Sequence, residues 1–244
     1  MKAGPIRTPV EAGAPALPAI SAGRPTIKIA RQPFTDSVCR VIDIVAATLL
    51  LTVLAPLFAL IWLAIRLDSP GPALFRQRRC GRGARPFTIA KLRTMRHDTA
   101  ADPHRTYVLG VIAAGAGGTA PPAGEGGLHK LENDARVTRV GAFLRRFSLD
   151  ELPQLWNVLR GQMTLVGPRP PIPYEVDNYP PDWLARLSVK PGLTGLWQVS
   201  GRSQLDYVDM VTLDLDYVRR RSLWVNARIL AKTVRVVLTG RGAV

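Results

Sequence analysis

The sequence predicts a mainly α-helical, monotopic membrane protein that carries one small β-hairpin. A long uncharged segment, Ile44–Ile65, has the composition of a membrane helix. Two segments further on, Leu74–Arg79 and Phe87–Thr94, have the residue pattern of strands, and a glycine-containing turn joins them. Apolar residues in the second half of the chain recur at the i, i+3 and i+4 spacing that is typical of helices.

The chain begins with a tail, residues 1–33, that is rich in Ala, Pro and Gly. Because it has few large apolar side chains to offset the entropy of ordering, we expect it to be disordered. It also lacks the apolar stretch of a signal peptide. We expect residues 34–66 to lie in the membrane and residues 67–244 to form a cytosolic, membrane-associated domain.

The uncharged segment is long enough to reach across a bilayer. As a straight helix, Ile44–Ile65 would measure about 33 Å at 1.5 Å per residue, and the hydrocarbon core is about 30 Å thick. A buried helix of a soluble protein is the alternative, but few core helices are apolar on every face over this length. Pro56 interrupts the segment, where it removes a backbone hydrogen bond and kinks the helix.

Basic residues flank the uncharged segment on both sides. Those before it are Arg24, Lys28, Arg31 and Arg40. Those after it, against the single acid Asp68, are Arg66, Arg76, Arg78, Arg79, Arg82, Arg85, Lys91, Arg93 and Arg96. Since basic flanks favour the cytoplasmic side, both ends are predicted to lie on one face of the membrane. This requires a re-entrant helix that bends near Pro56, with a single span as the alternative.

The overall charge points to an anionic partner. Lys and Arg number 33 against 18 Asp and Glu, so the net charge is +15. Nucleic acid, anionic lipid and phosphorylated substrates would each explain this excess. A nucleic-acid binder would not explain the apolar segment, so we expect no nucleic-acid partner. Cys39 and Cys80 lack metal-ligand spacing, and neither a zinc site nor a disulfide framework is expected.

The remaining elements follow from spacing and composition. Gly110–Gly127 is a low-complexity segment that we expect to be a loop. Helical spacing connects Leu152, Leu155, Trp156 and Leu159, and likewise Val208, Val211, Leu215 and Val218. A last helix, Ser222–Thr239, is predicted to end at Gly240. Its basic residues, Arg228, Lys232 and Arg235, share a face that is either solvated or rests on anionic headgroups.

Adjacent acids in the stretch Leu144–Gly161 suggest chemistry. Ser148 and Glu151 fit a capping box, although Pro153 favours Asp150 as the helix cap. In either case Asp150 and Glu151 would lie at the positive end of a helix dipole, where carboxylates stay ionised and phosphates bind.

Arginines just upstream extend this pattern. Paired carboxylates beside Arg145 and Arg146 suggest phosphoryl chemistry, with one acid as nucleophile or base and one holding Mg²⁺. Taken alone, these residues would be better explained by helix capping and surface ion pairs, so the assignment depends on neighbouring residues.

Further basic residues support a phosphate site. Pro168 and Pro170 enclose Arg169 in a rigid turn suited to bidentate phosphate or uracil contact. Lys91 and Arg93 alternate on the second hairpin strand, so we expect them to share a face. Pro191–Ser203 adds tight-turn glycines with Trp197, Gln198 and Arg202. We assign substrate binding to Lys91, Arg93, Arg145, Pro168, Arg169, Pro170 and Arg202.

Four strings resemble the bacterial sugar transferase family of monotopic phosphoglycosyl transferases. They are KLRTM (91–95), SLDELPQLWNVLRGQMTLVGPRP (148–170), KPGLTGLWQVSGRS (190–203) and LDLDYVRRRSLW (213–224). The resemblance covers roughly Phe34 to Ala243, and the second string is highly specific. It is closest to the small, exopolysaccharide-production type that uses hexose phosphates, without an additional N-terminal transmembrane bundle.

The resemblance implies an activity and a mechanism. Asp150 would attack the β-phosphate of a UDP-sugar and expel UMP, and the aspartyl phosphosugar would pass to undecaprenyl phosphate. Glu151 would be associated with Mg²⁺, while Lys91, Arg145 and Arg169 match family residues near the phosphates and the nucleotide. The implied location is the cytoplasmic face of the bacterial inner membrane. Which sugar is moved does not follow from the sequence.

The sequence departs from the family pattern at two places, and two other functions are alternatives to this interpretation. Asn226 stands where the family usually has an acid, and Gly110–Gly127 is longer and richer in glycine than is typical. A membrane-bound, Mg²⁺-dependent nucleotide-sugar pyrophosphatase could use the same acid pair. A non-catalytic basic membrane adaptor would need no Asp150.

Overall fold

The computed structural model describes residue 28 and residues 30–96, 103–115 and 136–240. Most of the tail predicted to be disordered therefore lies outside the described residues. Within them, α-helices and short 3₁₀ helices surround two small sheets, each of two strands. The mainly α fold with a β-hairpin is confirmed.

Two helices meeting at a bend cover the predicted membrane segment. They are α1, Pro33–Val53, and α2, Ala55–Asp68, and the bend at Leu54 is 59°. Pro56 lies in the first turn of α2, where a missing amide hydrogen removes no helical hydrogen bond. Among the described helices none alone could cross a membrane, whereas the bent pair has the necessary length and composition.

The predicted hairpin is present. Strands β1, Leu74–Cys80, and β2, Pro86–Leu92, pair antiparallel, with Phe75 opposite Lys91 and Arg79 opposite Phe87. Gly83 in the connection has a φ of 69°, which glycine adopts without steric cost.

The prediction that Gly110–Gly127 forms a loop is partly wrong. Helix α3, Pro103–Gly115, includes the first residues of that segment, and the rest lies outside the described residues. Val108 and Ile112 of α3 are fully buried against Val211, so tertiary packing outweighs the low helix propensity of Gly110. Helix α4, Arg139–Arg146, follows and is capped by the Thr138 hydroxyl.

The second half of the chain alternates short helices and strands. In chain order these are a 3₁₀ helix (Leu149–Gln154), α5 (Leu155–Leu159), β3 (Thr164–Val166), α6 (Pro173–Asn178), a 3₁₀ helix (Pro181–Ser188) and β4 (Gly192–Thr194). Two further 3₁₀ turns, Trp197–Val199 and Arg202–Gln204, lead into α7 (Tyr207–Arg220) and α8 (Leu223–Thr239). Strands β3 and β4 form a parallel pair that the sequence did not predict.

Helices α7 and α8 confirm the apolar periodicity. Asp206 caps α7 and Ser222 caps α8, each accepting a hydrogen bond from an amide in the first turn. Helix α8 ends at Gly240, whose φ of 62° is the left-handed conformation predicted for it.

Polar contacts tie the start of α1 to the rest of the protein. The Arg40 guanidinium donates to the carbonyls of Val158 and Leu159 at 2.6 Å, at the end of α5. Asp43 is buried and accepts from the Leu165 amide at 2.9 Å. The first turns of α1 are thus fixed to α5 and β3.

The end of α2 is held in a similar way by Arg93. Its guanidinium donates to the carbonyls of Ser69 and Pro70 at 2.6 Å and to the Ser69 hydroxyl at 2.9 Å. The expectation that Arg93 shares a face with Lys91 is wrong, because β2 ends at Leu92 and the Arg93 side chain turns towards α2.

Candidate active site

The two adjacent acids lie where the chain reverses direction. Helix α4 ends at Arg146, and Ser148 adopts a left-handed conformation with a φ of 55°. Asp150 and Glu151 then form the first turn of the 3₁₀ helix Leu149–Gln154, which packs against β2. The reversal brings the acids close to the C-terminal end of α4 and to the hairpin.

Neither predicted helix cap is formed. The Ser148 hydroxyl accepts a hydrogen bond from Arg202 at 2.5 Å and does not cap the 3₁₀ helix. Asp150 is not at the cap either, because the helix already includes Leu149. Pro153 lies inside the helix, where it has no amide hydrogen to donate to the preceding turn.

Lys91 and Glu151 form the central ion pair of the site. The Lys91 amine lies 2.5 Å from Glu151 Oε1, and both side chains are half-buried. Burial opposes ionisation of Glu151, but the charge and hydrogen bond of Lys91 outweigh it and lower the pKa of this carboxyl. Arg169 and Arg79 act in the same direction. Glu151 is therefore ionised at neutral pH.

The pKa of Asp150 is shifted in the opposite direction. Burial raises its pKa to about 6, and the negative charge of Glu151 contributes, against the lowering effects of Lys91 and Arg145. The carboxylate is still mostly ionised at pH 7. Its charge is less compensated than that of Glu151, which is the condition in which a carboxylate oxygen is a competent nucleophile or base.

Arg145 and Arg202 border the acids from two other elements. Arg145 extends from the last turn of α4, where its Nε donates to the Thr94 hydroxyl at 2.9 Å. Arg202 follows Gly201 and has a φ of 50°, a strained conformation for a residue with a Cβ. Its hydrogen bond to Ser148 fixes the guanidinium next to the chain reversal.

The Pro168–Pro170 turn presents Arg169 above an aromatic ring. The guanidinium carbon of Arg169 lies 5.7 Å from the centre of the Trp197 ring, a distance typical of cation–π contacts. Gly192 supports this turn, because its amide donates to the Pro168 carbonyl at 2.9 Å. A Cβ on Gly192 would lie 2.0 Å from the Gly167 nitrogen, so only glycine allows this approach.

A buried network holds the backbone of Arg169. Asp214 accepts from the Arg169 amide, and Arg186 donates to the Arg169 carbonyl, both at 3.3 Å. Arg186 and Asp214 form a buried ion pair with each other. Burial opposes the charge on Arg186, but Tyr179 and Asp214 raise its pKa, so it stays charged.

Arg79 completes this network from the hairpin. It is buried and donates to the Pro170 carbonyl at 2.9 Å. Burial and the charge of Arg169 lower the pKa of Arg79 to about 10, so it remains a cation at neutral pH.

The sequence reasoning missed Arg79, Arg186 and Asp214. Asp214 could have been found, because it lies between Val211 and Val218 on the apolar stripe of α7, where an acid needs a buried partner. Nothing comparable distinguished Arg186, whose partner is distant in the chain.

Asn226 lies apart from the acids. Its carbonyl oxygen accepts from the Tyr217 hydroxyl at 2.9 Å, and its amide donates to the Cys39 sulfur at 3.2 Å. It therefore joins α8, α7 and α1.

Six of the seven predicted substrate-binding residues, all except Arg93, are therefore grouped around Asp150 and Glu151 or in the adjoining turn. Half-buried acids ringed by cations are features of an enzyme that handles phosphorylated substrates.

The chain belongs to the bacterial sugar transferase family, whose sequence profile matches residues 34–240. The chain is therefore a transferase of this class.

Three relatives illustrate the similarity. The chain is 45% identical over 210 residues to the UDP-glucose:undecaprenyl-phosphate glucose-1-phosphate transferase of Caulobacter vibrioides, covering 82% of this chain and 69% of that protein. It is 37% identical over 214 residues to the exopolysaccharide production protein ExoY of Rhizobium meliloti, covering 87% and 90%. It is 42% identical over 207 residues to the undecaprenyl-phosphate galactose phosphotransferase of Salmonella typhimurium, covering 84% of this chain but only 41% of that protein.

Proposed function

We propose that this enzyme transfers a sugar 1-phosphate from a UDP-sugar to undecaprenyl phosphate and releases UMP, as the first step of exopolysaccharide or glycoconjugate assembly. The observation that carries the proposal is the unequal pair of acids. Glu151 is neutralised by Lys91, whereas Asp150 stands beside Lys91 and Arg145 with its pKa raised to about 6. The names of the Caulobacter vibrioides and Salmonella typhimurium relatives support the acceptor and the transferred group, and the name of the Rhizobium meliloti relative supports exopolysaccharide production.

The first step is the attack of Asp150 on the donor. A carboxylate oxygen of Asp150 forms a bond to the β-phosphorus of the UDP-sugar, and the bond from that phosphorus to the bridging oxygen breaks. UMP leaves with the bridging oxygen and the electron pair. Lys91 and Arg145 lie where they can offset the repulsion between the carboxylate and the diphosphate.

The second step regenerates the enzyme. A phosphate oxygen of undecaprenyl phosphate attacks the phosphorus of the aspartyl phosphosugar, and the bond to Asp150 breaks. The product is an undecaprenyl diphosphate sugar, and Asp150 returns to its carboxylate form. Because both steps use the same carboxylate, UMP is released in the first step, before the lipid phosphate attacks the aspartyl phosphosugar.

The donor set fits Mg²⁺. Among the described residues, no three His, Cys, Asp or Glu side chains converge on one metal position. Mg²⁺, however, is commonly held by one or two carboxylates together with substrate phosphates, and Asp150 and Glu151 supply such a pair. We propose that Glu151, with Asp150, would hold the ion, which would supply charge neutralisation at the diphosphate.

We also propose that α1 and α2 form a re-entrant hairpin in the bacterial inner membrane, with the site on the cytoplasmic face. Arg40 fixes the first turns of α1 to α5, and Arg93 fixes the end of α2 at the end of β2. The two ends of the apolar pair are thus attached to one folded unit. A single span would place them on opposite faces and would require these contacts to break.

The proposal is tested with purified enzyme, a panel of UDP-sugars and undecaprenyl phosphate. We expect UMP release together with a sugar-bearing undecaprenyl diphosphate, with UDP-glucose and UDP-galactose tested first because relatives are named for glucose and galactose. UMP and free sugar phosphate without a lipid product would instead show a nucleotide-sugar pyrophosphatase.

A further inference from the structure

An exposed aromatic ring borders the Lys91–Glu151 ion pair. Phe75 is the cross-strand partner of Lys91, and such partners project from the same face of a sheet with their Cβ atoms about 5 Å apart. Phe75 nevertheless has 51% of its surface exposed. An apolar side chain therefore lies next to an amine that faces the reacting acids, where an amphiphilic substrate would meet both.

The membrane helices reach this part of the site. Ile61 and Ile65 of α2 pack in one cluster with Leu92, Leu144 and Leu149. Leu92 adjoins Lys91, and Leu149 adjoins Asp150 in the sequence. The C-terminal half of α2 is therefore in contact with the backbone segments that carry both functional residues.

A continuous apolar stripe remains exposed on α2. Leu60, Leu63 and Leu67 are spaced i, i+3 and i+7, which places them on one helix face, and each is at least 50% exposed. The stripe ends one residue before α2 does, and the short connection after α2 leads into β1 at Leu74.

Basic residues divide the site into two sides. Lys91 and Arg145 lower the pKa of Asp150, whereas Arg169 and Arg79, together with Lys91, lower the pKa of Glu151. Arg169 also stacks near Trp197, an arrangement suited to a planar base and its phosphates. Arg145, on the other side, belongs to α4, and α4 packs against α2 through Leu144.

We propose that Phe75 and the stripe Leu60–Leu63–Leu67 bind the isoprenoid chain of the acceptor lipid, with its phosphate at Lys91 and Arg145. This rests on the proposed function and adds the acceptor subsite to it. The side with Arg169 and Trp197 then receives the nucleotide. An apolar tail contact beside a cationic phosphate contact matches the two parts of a polyprenyl phosphate.

The test uses Phe75→Ala in detergent solution with two acceptors, undecaprenyl phosphate and the short farnesyl phosphate. We expect the KM for both acceptors to rise about tenfold, because a partly buried aromatic contact is lost. The burst of UMP released from the UDP-sugar alone should be unchanged. Leu67→Ala should raise the KM for undecaprenyl phosphate only, since the short chain does not reach α2.

Two controls sharpen this test. Phe75→Leu keeps an apolar side chain and should have a near wild-type KM. Trp224→Ala removes an aromatic residue that is 70% exposed on α8 and should not change the KM for farnesyl phosphate.

The outcomes separate the possibilities. If Phe75→Ala leaves the KM for farnesyl phosphate unchanged, Phe75 only anchors the enzyme in the bilayer, and the inference is overturned. An equal rise in Trp224→Ala, or loss of the UMP burst in Phe75→Ala, would also overturn it. Failure of the wild type to make any lipid product would instead refute the proposed function.

Discussion

Arg186 and Asp214 form a buried ion pair that holds the backbone of Arg169 from both sides. Asp214 accepts from the Arg169 amide, and Arg186 donates to the Arg169 carbonyl. The charges of Arg186 and Asp214 are costly to bury, yet both are kept beside the turn that carries the charged Arg169. The pair therefore fixes the direction of Arg169 in addition to any contribution to folding.

We predict that Asp214→Asn raises the KM for the UDP-sugar more than it lowers kcat. The amide keeps the size of the side chain and one acceptor oxygen, but it leaves the charge of Arg186 uncompensated, so Arg169 is held less firmly. The matched control is Asp216→Asn, which breaks the more exposed pair with Arg220 on the same helix. The control should change stability by less than about 1 kcal/mol. A lower melting temperature with unchanged KM in Asp214→Asn would show a purely structural role.

Arg169 itself should act through its planar shape. In Arg169→Lys the charge remains, but a lysine cannot form two parallel hydrogen bonds to a phosphate or uracil. We predict loss of most activity with a raised KM for the nucleotide sugar. Arg160→Lys is the control, because Arg160 also lies over a tryptophan, Trp156, at 5.2 Å. A near-normal KM in Arg169→Lys would mean that the turn only supports the fold.

The sequence predicted the parts of the fold that depend on local pattern. The hairpin and α8 follow from alternation, a glycine turn, a serine cap and a C-terminal glycine, all encoded within a few residues. Arg93 was misassigned because the carbonyls it binds, on Ser69 and Pro70, are placed by tertiary folding. The capping box failed because Ser148 adopts a left-handed conformation, which no local pattern indicated.

The grouping of the candidate site was predicted to a similar extent. The sequence analysis selected Asp150, Glu151, Lys91 and Arg169, and the structure brings these four residues together, while their roles stay predictions. Arg186 was missed, since a buried arginine has no sequence signature until its partner is known.

The proposed re-entrant topology predicts that both ends of the apolar pair stay cytoplasmic. In a variant without Cys39 and Cys80, we would introduce Ala30→Cys before α1 or Arg76→Cys in β1. A membrane-impermeant maleimide added to intact cells should label neither position, and permeabilised cells should label both. Labelling of position 30 alone in intact cells would establish a single span and contradict the attachment through Arg40 and Arg93.

The pH dependence should report Asp150. Its pKa is raised to about 6, and only the deprotonated form can attack, so the UMP burst rate should be half-maximal near pH 6 and level off above about pH 7. Because the charge of Glu151 raises this pKa, Glu151→Gln should shift the acid limb to lower pH. Because Lys91 lowers it, Lys91→Met should shift the limb to higher pH. Shifts in the same direction for both variants would show that another group controls the profile.

The final prediction concerns Asp150 as a covalent nucleophile. Wild-type enzyme given UDP-sugar and Mg²⁺ without acceptor should release UMP in an amount close to that of enzyme, and mass spectrometry should find a phosphosugar on the peptide that contains Asp150. Asp150→Asn should abolish both signals, because an amide is a far weaker nucleophile of nearly the same shape.

Asp177→Asn serves as the control for this experiment, since it changes an acid on α6 that the mechanism does not use. It should retain the burst and the labelled peptide. Glu151→Gln should slow the burst without removing the covalent product, because it changes the group paired with Lys91 while leaving the attacking oxygen. If Asp150→Asn still gives the burst, or if UMP appears only after undecaprenyl phosphate is added, the two-step mechanism is wrong and Asp150 is at most a base or a metal ligand.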